Sequence, residues 1–246
     1  MNKVELLKRW ETSKLWPSRA LIHTLRPHYQ EEDPDHQKTK QAKPDPHKTS
    51  PLMTLPAEHV FATWDIISAT LIDFNRVGIV DVLNPRRRNS FQELGFILDV
   101  PIQNIVGMHH QDLWFPNHAG TVKDPGSAGG RRVTDSNALT DALYKGIRVD
   151  GKQLMPKGFH QIRIPGDMLY HTRLYNEVLI VGRSGVNTYP GLPQTGRIKI
   201  REVAIFRHYI HESAEEGGSL ERYRLVQRRA EKLRALNGVT APVRIL

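Results

Sequence analysis

Tyr175-Asn176-Glu177-Val178-Leu179-Ile180-Val181 sets one acidic residue at the mouth of an otherwise apolar run. Residues 178–181 read as a buried strand, bounded by the turn signals Gly182 and Gly185. A carboxylate beside a core is costly unless it is paired, solvated or used. Glu177 is therefore the first candidate functional residue of the chain.

Outward from this strand, residues 182–196 form a Gly/Pro-rich loop, followed by Arg197-Ile198-Lys199-Ile200-Arg201-Glu202-Val203-Ala204-Ile205. There the apolar phase slips between Ile200 and Val203. A period-2 strand accommodates such a slip only with a bulge, expected near Arg201 and Glu202. Gly217-Gly218 closes this part, and Ser219 caps a last helix. Leu220, Tyr223, Val226, Ala230 and Leu233 share one face of it, with Arg222, Arg228, Arg229, Lys232 and Arg234 largely away from that face.

Toward the N-terminus, residues 20–25 are a compact apolar segment, plausible as the first core strand, preceded by a short helix starting at the Asn2/Glu5 capping pattern. His59-Val60-Phe61-Ala62-Thr63 reads as a short strand, and Asp65 as the cap of a helix over 66–74, where Ile67, Thr70, Leu71 and Phe74 fall at helical spacing. Further strands are expected at 78–83, at 95–100 with a sharp stop at Pro101, near 104–106, and at 159–164, with a helix over 135–144. Residues 30–54 carry Pro34, Pro44, Pro46 and Pro51 among charged and polar residues, a long polar linker or loop. The organisation is thus 1–29 with a helix and the first strand, 30–54 the linker, 55–216 a mixed α+β domain that takes in 20–26, and 217–246 a basic helix.

A chain of 246 residues, 39% hydrophobic, is long enough for one sizeable core. Its net charge of +9 and pI near 9.8 favour an acidic partner, nucleic acid or protein. The absence of cysteine excludes disulfides, thiolate zinc sites and cysteine nucleophiles. No apolar run approaches the ~20 residues of a membrane span, and a cytoplasm, the cell's own or a target's, is the expected setting.

Four segments, taken in order, resemble the ADP-ribosyltransferase fold: Ile22-His23-Thr24, Val60-Phe61-Ala62-Thr63, Gly95-Phe96-Ile97-Leu98-Asp99-Val100-Pro101, and Asn176-Glu177-Val178-Leu179-Ile180-Val181 with the strand that follows. The resemblance spans roughly residues 20–206. It implies small β-sheets flanking a cleft, NAD as substrate, and transfer of ADP-ribose to a macromolecular acceptor. Glu177 would then stabilise the oxocarbenium-like transition state. His23 and Thr24 would hold the adenosine ribose or the nicotinamide amide, with Ala62 and Thr63 beside them and Thr63 bracing the glutamate. The chain departs from the family pattern in having Tyr175 where a Glu or Gln often orients the acceptor, and in having His23 adjacent to Thr24.

His109, His110, Asp112 and His118 could bind Zn²⁺ or Mn²⁺ as a metal-nuclease site, the third reading, but they fit no recognised ligand spacing and read first as a solvated loop, so no metal is expected. The pairs His23-Thr24 and His171-Thr172 lack the intervening residue of two-histidine phosphoesterases, and Gly126-Ser127-Ala128-Gly129-Gly130 lacks the Lys-Ser/Thr of a P-loop. Arg86–88, Arg131-Arg132 and the last helix are basic, which suits phosphate contact without base specificity. The rival class is a non-enzymatic basic binding or assembly protein.

Overall fold

Alternating burial, more than helical spacing, organises the centre of this chain. The computed structural model describes residues 11–15, 17–25, 51–62, 64, 67–75, 93–109, 147–149, 152–154, 160–161, 177–182, 196–206 and 219–246. The expected helix at the N-terminus, the strand at 78–83 and the helix over 135–144 lie outside these residues.

The described strands are β1 (Arg19–Leu25), β2 (Ile67–Asp73), β3 (Leu94–Asp99), β4 (Ile105–His109), β5 (Ile147–Val149), β6 (Lys152–Leu154), β7 (His160–Gln161), β8 (Glu177–Ile180), β9 (Lys199–Ile205) and β10 (Arg244–Ile245). Eight of them form one sheet in the order β10-β9-β3-β1-β2-β8-β4-β7, and β5 and β6 form a separate hairpin. The β10–β9 pair is parallel and the rest are antiparallel. Among the described residues, three α-helices accompany the strands: α1 (Thr12–Leu15), α2 (Ala57–Phe61) and α3 (Ser219–Leu236). The architecture is α+β.

Both faces of the central strands are buried, with different partners. Leu21 and Leu25 of β1, Ala69 and Leu71 of β2, Phe96 and Leu98 of β3, and Val178 and Ile180 of β8 join the main core with Phe61 of α2 and Val226, Ala230 and Leu233 of α3. On the other parity, Ala20, Ile22, Ile72, Ile97 and Ala204 cluster with Phe206. This is period-2 alternation with a layer on each side.

The phase slip in β9 is a bulge. Ile97 pairs with Glu202 and Leu98 with Ile200, leaving Arg201 as the extra residue. The bulge keeps Ile200, Val203 and Ile205 all in the main core despite their odd spacing. β1, β3 and β8 form where the apolar runs place them, and β4 extends further than the 104–106 expected for it.

Four expectations need correction. Residues 59–63 are not a strand: Ala57–Phe61 is the helix α2, because Ala57, Val60 and Phe61 bury at i, i+3 and i+4 behind Pro56. Residues 66–74 are not a helix: Ile67, Ala69 and Leu71 bury in alternation around exposed Ser68 in β2. Their spacing satisfied both periods, and pairing with β1 and β8 decided between them. Leu52, within the segment read as polar linker, is 1% exposed and belongs to the main core, on a 3-10 turn over Pro51–Met53. Finally, Arg229 is buried at 6% exposure whereas Leu220 is 59% exposed. Val226, Ala230 and Leu233 line the main core and Tyr223 packs against it, as the spacing suggested, so the face departs only at exposed Leu220 and buried Arg229; Glu93, just before β3, accepts the Arg222 Nε hydrogen bond at 2.7 Å.

Candidate functional site at the division of the sheet

β2 changes partners halfway along its length. Its second half pairs with β1, from Ile22↔Thr70 to Arg19↔Asp73, and its first half pairs with β8, from Ala69↔Val178 to Ile67↔Ile180. β1 continues past Ile22 against β3, with His23 opposite Phe96, Thr24 opposite Gly95 and Leu25 opposite Leu94. Beyond the Ile22–Thr70 pair, β1 and β2 share no further ladder positions, so the sheet divides there among the described residues.

His23 stands at this division. Its Nδ1 lies 2.7 Å from the carbonyl oxygen of Ser68 on β2. A carbonyl only accepts, so Nδ1 is the protonated ring nitrogen. The imidazole meets Phe61 edge-on, with centroids 5.3 Å apart, and Trp64 at 6.0 Å; Phe61 and Trp64 are 5.6 Å from each other. Phe61 ends α2 and Trp64 follows three residues later, so the helix that replaced the expected strand builds much of the wall against which His23 is fixed. Trp64 is buried, and its Nε1 has no hydrogen-bond partner among the described residues. A buried donor left unpaired costs about 1–3 kcal/mol.

Two glycines let the backbones close around this point. A Cβ on Gly95 would sit 3.0 Å from Ile22 Cγ2 and 3.1 Å from the His23 carbonyl oxygen. At Gly182, just past β8, it would fall 1.9 Å from the Phe61 carbonyl oxygen. The end of β8 thus packs directly on the end of α2. Asn104 holds the next turn: its Nδ2 donates to the carbonyls of Val181 and Gly196, each at 3.1 Å, and its own carbonyl accepts from Val181 N–H at 2.8 Å.

Of the residues singled out in the sequence, Thr24 is half-buried opposite Gly95, and Ala62 is the exposed C-cap of α2, its N–H donating to the Glu58 carbonyl at 3.1 Å. Thr63 and Tyr175 lie outside the described residues. Glu177 opens β8, with His109 of β4 as its register partner. Position 177 has the parity of Leu179, whereas Val178 and Ile180 belong to the core that also holds Phe61 and Trp64. His23 and Glu177 are thus brought onto strands on either side of β2, and the register alone does not set them on one face.

His110, Asp112 and His118 are outside the described residues, and no group of three or more metal-ligating side chains occurs among those described. On α3, Arg224, Arg228 and Lys232 are exposed at i, i+4 and i+8, a basic stripe on the side away from the core. Arg86–88 and Arg131-Arg132 lie outside the described residues. No described helix is long and apolar enough to cross a membrane. Sequence reasoning missed Trp64 and the Glu177–His109 register. The aromatic signal was present in Phe61-Ala62-Thr63-Trp64, but reading that segment as a strand hid its packing role.

No family model, curated protein or solved structure matches this chain.

Proposed function

We propose that the protein catalyses NAD-dependent mono-ADP-ribosyl transfer to a macromolecular acceptor, on an ADP-ribosyltransferase-like fold. The observation that carries this reading is the division of the sheet at Ile22–Thr70, with a tautomer-fixed imidazole at the opening and a strand that begins with glutamate beside it. Two half-sheets flanking an opening are what the resemblance leads one to expect.

In this reading NAD binds with its nicotinamide ribose at the division. Glu177 accepts a hydrogen bond from a ribose hydroxyl and stabilises the positive charge that grows on the ribose as the bond to nicotinamide breaks. The nicotinamide leaves neutral, and an acceptor nucleophile closes on the anomeric carbon while losing its proton. His23 and Thr24 hold the dinucleotide.

The exposed stripe Arg224, Arg228, Lys232 favours a second reading, a non-enzymatic protein that binds an acidic partner. Incubation with NAD labelled in the adenylate moiety, in the presence of cell extract, separates the two. Label transfer and nicotinamide release that Glu177→Ala abolishes support the transferase; neither signal, with Glu177→Ala matching wild type, leaves the binding protein.

A further inference from the structure

Three strands separate β10 from β2 in the order β10-β9-β3-β1-β2. On a flat sheet, four strand spacings would set them about 19 Å apart. Yet the guanidinium carbon of Arg244, on β10, lies 4.6 Å from the ring centre of Phe74, the residue after β2. The sheet therefore curls, and these two side chains meet across its second face. Phe74 and Leu246 pack there against the cluster that holds Ile22, Ile97 and Ala204. Phe74 is fixed in turn by its N–H, which donates to the Ser18 carbonyl at 3.0 Å.

Arg244 also joins β9. Its Nε donates to Glu202 Oε2, and Arg201, the extra residue of the bulge, donates from Nε to Oε1 at 3.2 Å. The rest of the segment after α3 has a slighter hold. It leaves the helix through Gly238 at φ +62°. Val239 is buried in the main core, whereas Ala241 and Val243 are only partly buried against it, and Thr240, Pro242 and Ile245 are exposed. β10 pairs with β9 at Arg244↔Ala204 and Ile245↔Ile205, and Leu246 N–H donates to the Ile205 carbonyl at 2.9 Å. Past Val239, a short parallel ladder and the two contacts of Arg244 are the main ties.

We propose that residues 240–246 form a strap, latched by Arg244, that opens and closes over the second face of the sheet separately from the rest of the fold. Segments held by few backbone hydrogen bonds open at the low-stability end of a protein's range. The latch has two halves, the ion pair with Glu202 and the cation–π contact with Phe74. The Arg244 side chain is 40% exposed, so dissolved ions reach it and weaken its charge pairing. Release frees the Phe74 ring and uncovers the side of the apolar cluster where Leu246 packs, while Glu202 keeps Arg201 as its partner.

Amide hydrogen exchange of the full chain, read residue by residue by NMR, tests this. In wild type the Leu246 amide should exchange faster than the amides of β3. Arg244→Gln should speed Leu246 at least about tenfold and leave the β3 amides within about twofold. Phe74→Leu, which keeps an apolar cover without the ring, should show part of that increase. Raising salt from about 0.1 M to about 1 M should speed Leu246 in wild type and have no such effect in Arg244→Gln. Equal rates for Leu246 and β3 in wild type, or equal acceleration of both in Arg244→Gln, would show that the strap has no opening of its own. An unchanged Leu246 rate in Arg244→Gln would show that Arg244 is not the latch.

Discussion

Gly182 is where two backbones meet, and it shows how little room surrounds the division of the sheet. An added methyl would overlap the Phe61 carbonyl at 1.9 Å and approach Ile67 Cδ1 at 2.9 Å. Neither the backbone of α2 nor the start of β2 can yield without disturbing the aromatic wall of His23. Gly182→Ala should therefore destabilise the fold by about 1–3 kcal/mol or more, read as a lower urea midpoint. A wild-type midpoint would mean that α2 is free to shift. Glu11 offers a second check at this scale. Its carboxyl is held above its ordinary range, first by a hydrogen bond with Asp99, then by burial and the Asp99 charge, against Lys199 and Lys14. An acid whose folded pKa is raised stabilises the protonated native state at low pH, and that contribution is lost as pH rises through the raised value. Glu11→Gln should thus be more stable than wild type above that range and level with it toward pH 4, an effect kept small by exposure. Thermal midpoints at a series of pH values test this; a gap that widens on acidification would contradict it.

At the scale of elements, α2 is held by a residue far along the chain. Asn237, just past α3, accepts the Ala57 N–H on its Oδ1 at 2.6 Å and donates from Nδ2 to the Leu233 carbonyl at 2.8 Å. A five-residue helix has little stability of its own, so losing this long-range cap matters. Asn237→Ala should cost about 1 kcal/mol and weaken the shielding of the His23 ring, visible in its NMR shift. A shift and stability equal to wild type would show that packing alone holds α2. The same elements show what the sequence could tell. β1, β3 and β8 were legible because each is a continuous apolar run ended by turn residues, and the β9 bulge was legible because a phase slip has one mechanical solution. The segment 57–74 was not, since its spacing fits either period and only the strands beside it choose. The inward face of α3 was legible in Tyr223, Val226, Ala230 and Leu233, whereas the exposure of Leu220 and the burial of Arg229 were not. Of the candidate site, the residue types at His23 and Glu177 were visible; the packing of Trp64 and the strand register beside Glu177 are encoded by no local pattern.

For the whole molecule, charge and chemistry make separate claims. The net charge of +9 includes a described surface feature, the exposed stripe Arg224, Arg228 and Lys232. Reversing these three should weaken binding to an anionic polymer and flatten its salt dependence, since each phosphate contact with duplex DNA contributes a log–log slope of about −0.9. Titrating labelled duplex at several salt concentrations reads this, and an unchanged slope would locate the contact elsewhere. Arg229 is unsuitable for such a test because it is buried. The central claim concerns the chemistry at the division of the sheet. Its most direct measurement is nicotinamide release from NAD by wild type and by Glu177→Gln under identical conditions. The account predicts release by wild type and a loss of about a hundredfold or more in the variant, the scale expected when a group stabilising transition-state charge is removed. Equal release from the two, or none from wild type across a range of acceptors, would contradict it.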